Sequence, residues 1–189
     1  MSQAISNETP VPDRLNTIRW IGATMCFAVA IGGALAELAL AWIWLFPDYV
    51  ESLVVPQLGL GPVPVVLTWQ TRLAGFAVSM IPLSVLVYAL HQAYELFNCY
   101  RLGDIFNAQG PARLRRIGFS MLLLAVLRPI TNMLLGIILT ISNPPGQQIV
   151  ALSVSLDDYM IATFGGLILA IGHVMVEAKR LADDHSQIV

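Results

Sequence analysis

The amino-acid sequence predicts an all-α polytopic membrane protein with four transmembrane helices and both termini in the cytoplasm. Three observations support this fold class. Of the 189 residues, 57% are hydrophobic and only 12% are charged, whereas soluble domains carry about 25% charged residues. The apolar residues form long blocks rather than amphipathic stripes, which is typical of membrane spans. The Lys and Arg residues concentrate in alternate segments between these blocks, which predicts the orientation.

The four apolar blocks set the predicted boundaries. A polar tail, residues 1–19, precedes the first block, which is longer than the 7–15 residues or so of a signal-peptide core and is therefore expected to remain as a span. The predicted spans are residues 20–46, 71–93, 117–142 and 159–176. They are joined by an outer loop 47–70, a cytoplasmic loop 94–116 and an outer loop 143–158, and a tail 177–189 follows.

The first outer loop is unusual because the stretch from Leu53 to Leu67 is apolar yet rich in proline and glycine. These residues disfavour a regular helix, and irregular backbone exposed to lipid would leave polar groups unsatisfied. We expect this stretch to lie at the interface or to pack on the helices. In the cytoplasmic loop, Gly110 and Pro111 predict the start of a helix, because proline is favoured at the first helical position.

The orientation follows from the basic residues. Cytoplasmic segments carry an excess of Lys and Arg, and eight of the ten basic residues fall in the two tails and the loop 94–116. Of the other two, Arg72 lies at a span edge on the outer side and Arg128 lies within the third span. The aromatic residues at the predicted outer edges are Trp42, Trp44, Tyr49, Trp69 and Tyr159.

Two pairs of small residues predict close helix packing. Gly32 with Ala36 and Gly166 with Ala170 are spaced so that both members share one helix face. Such pairs let helix backbones approach closely in membranes. They would serve either packing within the chain or a homo-oligomer.

Charged residues inside spans are costly and are therefore candidates for function. Glu37 lies in the first span and Arg128 in the third, and their axial offset is about 9 Å at 1.5 Å per residue. We predict that they pair, with Asn132 one turn beyond Arg128. The cluster would fix helix register, form a site for a small ligand, lipid or ion, or snorkel to an interface.

Two histidines form a second constellation. His91 with Glu95, and His173 with Glu177, each share one helix face near the inner boundary. Facing helices could present such pairs to a metal, or two histidines to haem. The alternative is that these are ordinary polar residues near a membrane boundary, with no cofactor bound.

A basic cluster of Arg113, Arg115 and Arg116 precedes the third span. Its simplest interpretation is anchoring to anionic headgroups of the bilayer. The net charge of -2 and the short loop argue against direct nucleic-acid binding. The sequence contains no phosphate loop, GxSxG or HExxH motif, so we expect a protein that is not an enzyme.

The cytoplasmic segments resemble a known family. Gly103-Asp104-Ile105-Phe106, the Leu114-Arg115-Arg116-Ile117-Gly118 run and the tail with Glu177, Leu181 and Asp183 are similar to the bacterial membrane family called domain of unknown function 2975. The resemblance covers roughly residues 70–189. It implies about four spans, a bacterial cytoplasmic membrane and a gene neighbour encoding a helix-turn-helix regulator, but no catalytic residues.

These observations lead to three functional hypotheses. The first is a membrane protein that signals to a cytoplasmic partner, such as a transcription regulator. Its expected partner surface comprises Gly103, Phe106, Arg113, Arg115, Arg116, Leu181 and Asp183. The second is a small-ligand, lipid or ion-handling protein built around Glu37, Arg128 and Asn132, and the third is a haem or metal protein using His91 and His173.

Overall fold

The four predicted spans are helices in the computed structural model, which describes residues 12–59, 65–103, 109–144, 150 and 152–186, with side chains described from residue 16 to 181. The long helices are α1 Pro12–Leu45, α4 Trp69–Arg101, α5 Gly110–Thr140 and α6 Leu156–Ser186. Each is long and apolar enough to cross a membrane. The described residues contain no strand. The all-α membrane fold with four spanning helices is therefore confirmed.

The helices extend beyond the apolar blocks. Helix α1 begins at Pro12 rather than at residue 20, α4 continues to Arg101, and α6 continues to Ser186. Hydropathy marks the part of a helix that contacts lipid, whereas flanking residues such as Arg, Glu, Gln and Leu also have high helix propensity. The predicted loop 94–116 consequently shrinks to the residues between Arg101 and Gly110. Helix α5 starts at Gly110 with Pro111 in its first turn, as predicted.

Helix α4 ends at a glycine whose backbone conformation requires it. Gly103 has φ 83°, a left-handed conformation that costs other residues about 1 kcal/mol or more. Its N–H donates to the Tyr100 carbonyl at 3.0 Å, and the Leu102 N–H donates to the Asn98 carbonyl at 3.1 Å. Gly103 thus satisfies carbonyls at the end of α4, a structural role that accounts for this residue of the predicted partner surface.

The helices pack in chain order and antiparallel. The extensive contacts join α1 to α4, α4 to α5, and α5 to α6. Gly22, near the start of α1, lies against the Arg101 backbone, whereas the Trp44 ring, at the other end of α1, covers Gly75. Helix α5 is the most enclosed, with 28% of its most apolar window buried against 6% for α1. Most other span residues face outward, as expected for helices in lipid.

Helices α5 and α6 approach most closely where glycines face the opposite backbone. A Cβ on Gly118 would lie 2.5 Å from the Leu169 nitrogen, and one on Gly165 would lie 2.8 Å from the Met121 Cβ. Gly32 and Gly166 have nothing within 4 Å of a Cβ position. The prediction that these two glycines mediate packing inside the chain is therefore wrong, because Gly166 is turned away from α5 and its neighbour Gly165 faces it. A role in a homo-oligomer stays a prediction.

The apolar outer segment packs on the helices, which is one of the two arrangements predicted from the sequence. It contains two single helical turns, α2 Pro47–Tyr49 and α3 Val55–Gln57, separated by a π-helical turn Val50–Val54. Residues 60–64 lie outside the described residues. The buried hydrophobic side chains that pack together at this end come from α1, the outer segment and α5: Trp44, Val50, Leu58, Leu135 and Leu139.

Trp44 does not belong to the interfacial aromatic belt. Its side chain is 4% exposed and lies over Gly75 of α4. The periodicity of an apolar helix does not distinguish a residue that faces lipid from one that faces a neighbouring helix, so the sequence placed Trp44 with the belt. Trp42 and Trp69 remain exposed, at 54% and 68%.

Candidate functional site

The intramembrane arginine forms an ion pair with the start of α6. Arg128 Nη1 lies 3.2 Å from Asp158 Oδ1, and the two side chains are 35% and 3% exposed. This oxygen accepts no aligned hydrogen bond, so the contact is one between opposite charges. It offsets the cost that either charge would incur alone in an apolar environment.

Asp158 is held in place by a helix cap. Its Oδ2 accepts hydrogen bonds from the Ser155 backbone N–H and from Ser155 Oγ, both at 2.9 Å. In return, Ser155 Oγ accepts from the Asp158 backbone N–H at 3.2 Å. This reciprocal arrangement is a capping box, in which Ser155 closes the first turn of α6. The same carboxylate therefore caps α6 with one oxygen and faces Arg128 with the other.

The predicted pairing of Glu37 with Arg128 is wrong. Arg128 pairs with Asp158, while Glu37 is an exposed residue in a groove between α1 and α4 that also contains His91. The axial estimate compared positions along each helix, but it carried no information on which helices are neighbours. Helix α1 packs mainly against α4, and Glu37 lines the groove between these two helices, whereas Arg128 lines a different cleft.

Arg128 and Asn132 line a cleft of about 470 Å³ among the four long helices. The lining is mostly apolar. The polar side chains in it come from α4, α5 and the outer segment: Gln57, Ser79, Arg128, Thr131 and Asn132. Thr131 and Ser79 are buried, at 5% and 9% exposure. A few converging polar groups in an apolar cleft of this size are typical of a small-molecule site.

The two histidines lie in separate grooves. His91 is in the α1–α4 groove with Glu37, and His173 is in a groove formed by α4, α5 and α6. His173 Nδ1 lies 2.9 Å from the Leu169 carbonyl, which can only accept a hydrogen bond. Glu177 is exposed. The structure therefore does not bring the predicted haem or metal residues together, and no cluster of three metal-ligating side chains occurs within its described part.

Glu95 has a structural partner. Arg113 Nη1 lies 3.2 Å from Glu95 Oε2, and Arg113 Nη2 donates to Gln109 Oε1 at 3.1 Å. These contacts tie the end of α4 to the start of α5. Glu95 thus forms an ion pair with Arg113, whereas its position four residues after His91 predicts a site shared with that histidine.

The remaining members of the predicted partner surface are partly accessible. Arg115, Arg116 and Leu181 are exposed. Phe106 lies outside the described residues, and Asp183 lies on α6 in a part whose side chains are not described.

Arg72 is a structural residue that the sequence left unassigned. Its guanidinium donates from Nε and Nη2 to the Trp44 carbonyl at 2.9 and 2.6 Å, and from Nη2 to the Leu45 carbonyl. These are the last carbonyls of α1, which lack partners inside the helix. A cation there is also favoured by the helix dipole. This role explains why one arginine departs from the positive-inside pattern.

Comparison with known proteins identifies the family. Residues 38–189 match the family model described as "Protein of unknown function (DUF2975)". No curated protein and no solved structure matches the chain. The match includes the last part of α1 and all of α4, α5 and α6, so it extends further toward the N-terminus than the resemblance noted in the sequence. The chain belongs to the DUF2975 family.

Proposed function

We propose that this protein binds a small amphiphilic molecule in the Arg128 cleft, within the cytoplasmic membrane of a bacterium. The observation that supports the proposal is the cleft itself, which combines apolar walls with an arginine and four uncharged polar side chains. Its volume of about 470 Å³ lies within the usual range of about 300–1,000 Å³ for ligand sites. Polar groups are costly in a span and are retained mainly where they have a role.

The chemistry of the cleft favours a ligand whose head accepts hydrogen bonds. Arginine has five N–H donors, and Arg128 meets Asp158 through Nη1. Asn132 and Thr131 lie on the same helix as Arg128 and line the same cleft. A carbonyl or carboxylate head would meet these donors, and an apolar tail would contact the leucines and Pro82 of the lining.

Analysis of bound small molecules tests this proposal. Wild-type protein would be purified from native membranes in mild detergent, extracted with organic solvent and analysed by mass spectrometry. Ser79→Leu places a larger apolar side chain in the cleft, whereas Ser84→Leu on the same helix changes an exposed residue. We expect a molecule that co-purifies with wild type and Ser84→Leu and falls at least about tenfold in Ser79→Leu, consistent with loss of its polar contacts.

Two outcomes would contradict the ligand proposal. One is a wild-type extract without any molecule beyond the lipids of a control membrane protein. The other is equal retention by Ser79→Leu and Ser84→Leu, with both variants monodisperse in gel filtration.

A second function, signalling to a cytoplasmic protein, is favoured by the length of α6. This helix continues to Ser186, ten residues beyond the predicted span end at 176, and so extends about 15 Å further. Glu177, Arg180 and Leu181 are exposed on this extension. We propose that the chain is not an enzyme and that this side binds a soluble protein, with a transcription regulator as the expected partner class.

Deletion of residues 181–189 tests the second function. Protein partners would be identified by mass spectrometry after mild-detergent purification of wild type and the truncated chain. We expect a soluble DNA-binding protein that is present with wild type and missing after truncation. An unchanged set of co-purifying proteins would count against this function, while leaving the cleft proposal unaffected.

A further inference from the structure

The groove that contains His173 is lined by positive charges that have no acidic counterpart in the lining. It has a volume of about 480 Å³ and is lined by Tyr88 of α4, by Ala112, Arg115, Arg116 and Phe119 of α5, and by Leu169 and His173 of α6. The lining includes two guanidinium groups and no carboxylate. Within the described part of the chain, the two ion pairs are Arg113–Glu95 and Arg128–Asp158, so neither Arg115 nor Arg116 is neutralised by an acidic side chain there.

The packing of α6 positions one of these arginines. A Cβ on Gly172 would lie 2.7 Å from Arg115 Cγ and 2.9 Å from the Arg115 nitrogen. Only a glycine therefore lets the Arg115 stem cross α6 at this point. The hydrogen bond from His173 Nδ1 to the Leu169 carbonyl orients the neighbouring imidazole. Arg115 is thus held by its stem at the side of the groove, although its side chain remains exposed.

The groove lies at the boundary of the predicted hydrocarbon layer. Arg115 and Arg116 immediately precede the apolar block that starts at residue 117, and His173 lies three residues before the end of the last block, about 5 Å along the helix axis. Phe119, which lines the groove one turn further into the span, is 61% exposed. Charged donors therefore lie at headgroup depth, and an apolar surface continues from them toward the bilayer centre.

We infer that this groove binds the phosphate headgroup of an anionic phospholipid, with an acyl chain along Phe119 and Leu169. Arg115 and Arg116 would donate to the phosphate oxygens, because guanidinium groups match phosphate geometry. The Tyr88 hydroxyl, which also lines the groove, would donate a further hydrogen bond. A basic pocket between spans is a more selective site than general attraction of a loop to a charged membrane surface.

Native mass spectrometry of the full-length protein in detergent tests the inference. Delipidated protein would be titrated with phosphatidylglycerol or phosphatidylcholine, and the lipid-bound fraction measured. Arg115→Gln/Arg116→Gln removes the two groove charges, and Lys179→Gln/Arg180→Gln removes equal charge from α6 outside the groove. We expect phosphatidylglycerol binding to fall at least about tenfold in the first variant and to change less than about twofold in the second.

Further measurements make the result decisive. Arg116→Gln alone removes an exposed side chain without disturbing the contact of Arg115 with Gly172. This variant should also weaken phosphatidylglycerol binding, and it keeps the inference testable if the double variant misfolds. Equal losses in the groove and control variants, or equal binding of phosphatidylcholine and phosphatidylglycerol, would overturn the inference. Competition by millimolar inorganic phosphate as effective as that by lipid would also overturn it, by assigning the groove to a soluble phosphate.

Discussion

At the scale of single residues, the contact between Arg128 and Asp158 joins two charges in a region where each alone is costly. Asp158 is 3% exposed and lies in the first turn of α6, where the positive end of the helix dipole favours a carboxylate. Without the Asp158 carboxylate, the positive charge of Arg128 would be disfavoured beside the positive end of the α6 dipole. Asp158→Asn keeps the shape and an oxygen for the Ser155 cap but leaves Arg128 without an ionic partner.

We expect Asp158→Asn to lower the free energy of unfolding by about 1–3 kcal/mol. Breaking a fully buried pair costs about 3–5 kcal/mol, and the 35% exposure of Arg128 reduces this value through solvent screening. Thermal unfolding of the detergent-solubilised protein measures the change. Asp157→Asn is the matched control, because Asp157 is exposed on the same turn and should change stability by less than about 0.5 kcal/mol. Equal effects of both substitutions would refute a stabilising ion pair.

The sequence predicts some of these residue roles and not others. Arg128 and Asn132 are identifiable because polar residues inside an apolar block are rare, and the structure places both in the same cleft. The ionic partner of Arg128 is not predictable from depth alone, since any acidic residue at a similar depth in a span would fit the axial estimate. The Ser155–Asp158 spacing is a capping pattern visible in the sequence, and it indicates that Asp158 has a role in starting α6.

At the scale of elements, the junction of α5 and α6 depends on which glycine faces the partner helix. Gly165→Ala would place a Cβ 2.8 Å from the Met121 Cβ and 3.0 Å from the Leu122 nitrogen. The helices would have to separate, at an expected cost of about 1–3 kcal/mol. Gly166→Ala meets no atom within 4 Å and should leave stability unchanged or raise it by up to about 1 kcal/mol, because alanine favours a helix.

Thermal unfolding of these two neighbouring variants measures the difference directly. A lower melting temperature for Gly166→Ala than for Gly165→Ala would show that the helix is rotated relative to this arrangement. Small-residue spacing in the sequence predicts that a glycine-mediated contact exists. The spacing does not fix the rotation of the helix. Gly165 and Gly166 are adjacent, so either glycine could face the partner helix.

A second contact at this scale joins α1 to α4 through Arg72. Arg72→Gln removes the charge-assisted hydrogen bonds to the Trp44 and Leu45 carbonyls, and we expect stability to fall by about 1–2 kcal/mol. Gln70→Leu, at an exposed neighbouring position, serves as the control in the same unfolding measurement. If Arg72→Gln unfolded at the wild-type temperature, the interaction would contribute nothing to the stability of this end.

At the scale of the whole molecule, the two ends of the helices differ in charge and in packing. One end has the outer segment packed between α1 and α5, with Val50 and Leu58 buried. The other end has the basic residues at the end of α4, in the first two turns of α5 and on the α6 extension. The sequence predicts the number of spans and this charge asymmetry, since both depend on composition along the chain. The order of helix packing depends on side-chain shape between distant segments, so only the structure supplies it.

The charge asymmetry predicts which end faces the cytoplasm, and cysteine labelling in intact cells measures it. In a chain with Cys26→Ser and Cys99→Ser, single cysteines would be introduced by Ser52→Cys at one end and Arg180→Cys at the other, both at exposed positions. The excess of Lys and Arg at the second end leads us to expect that a membrane-impermeant maleimide labels Ser52→Cys in intact cells and Arg180→Cys only after permeabilisation. The reverse pattern would place the Arg115 groove on the outer leaflet and would exclude a cytoplasmic partner for α6. The ion pair of Arg128 with Asp158 would be unaffected by that result, because its geometry is independent of the direction of insertion.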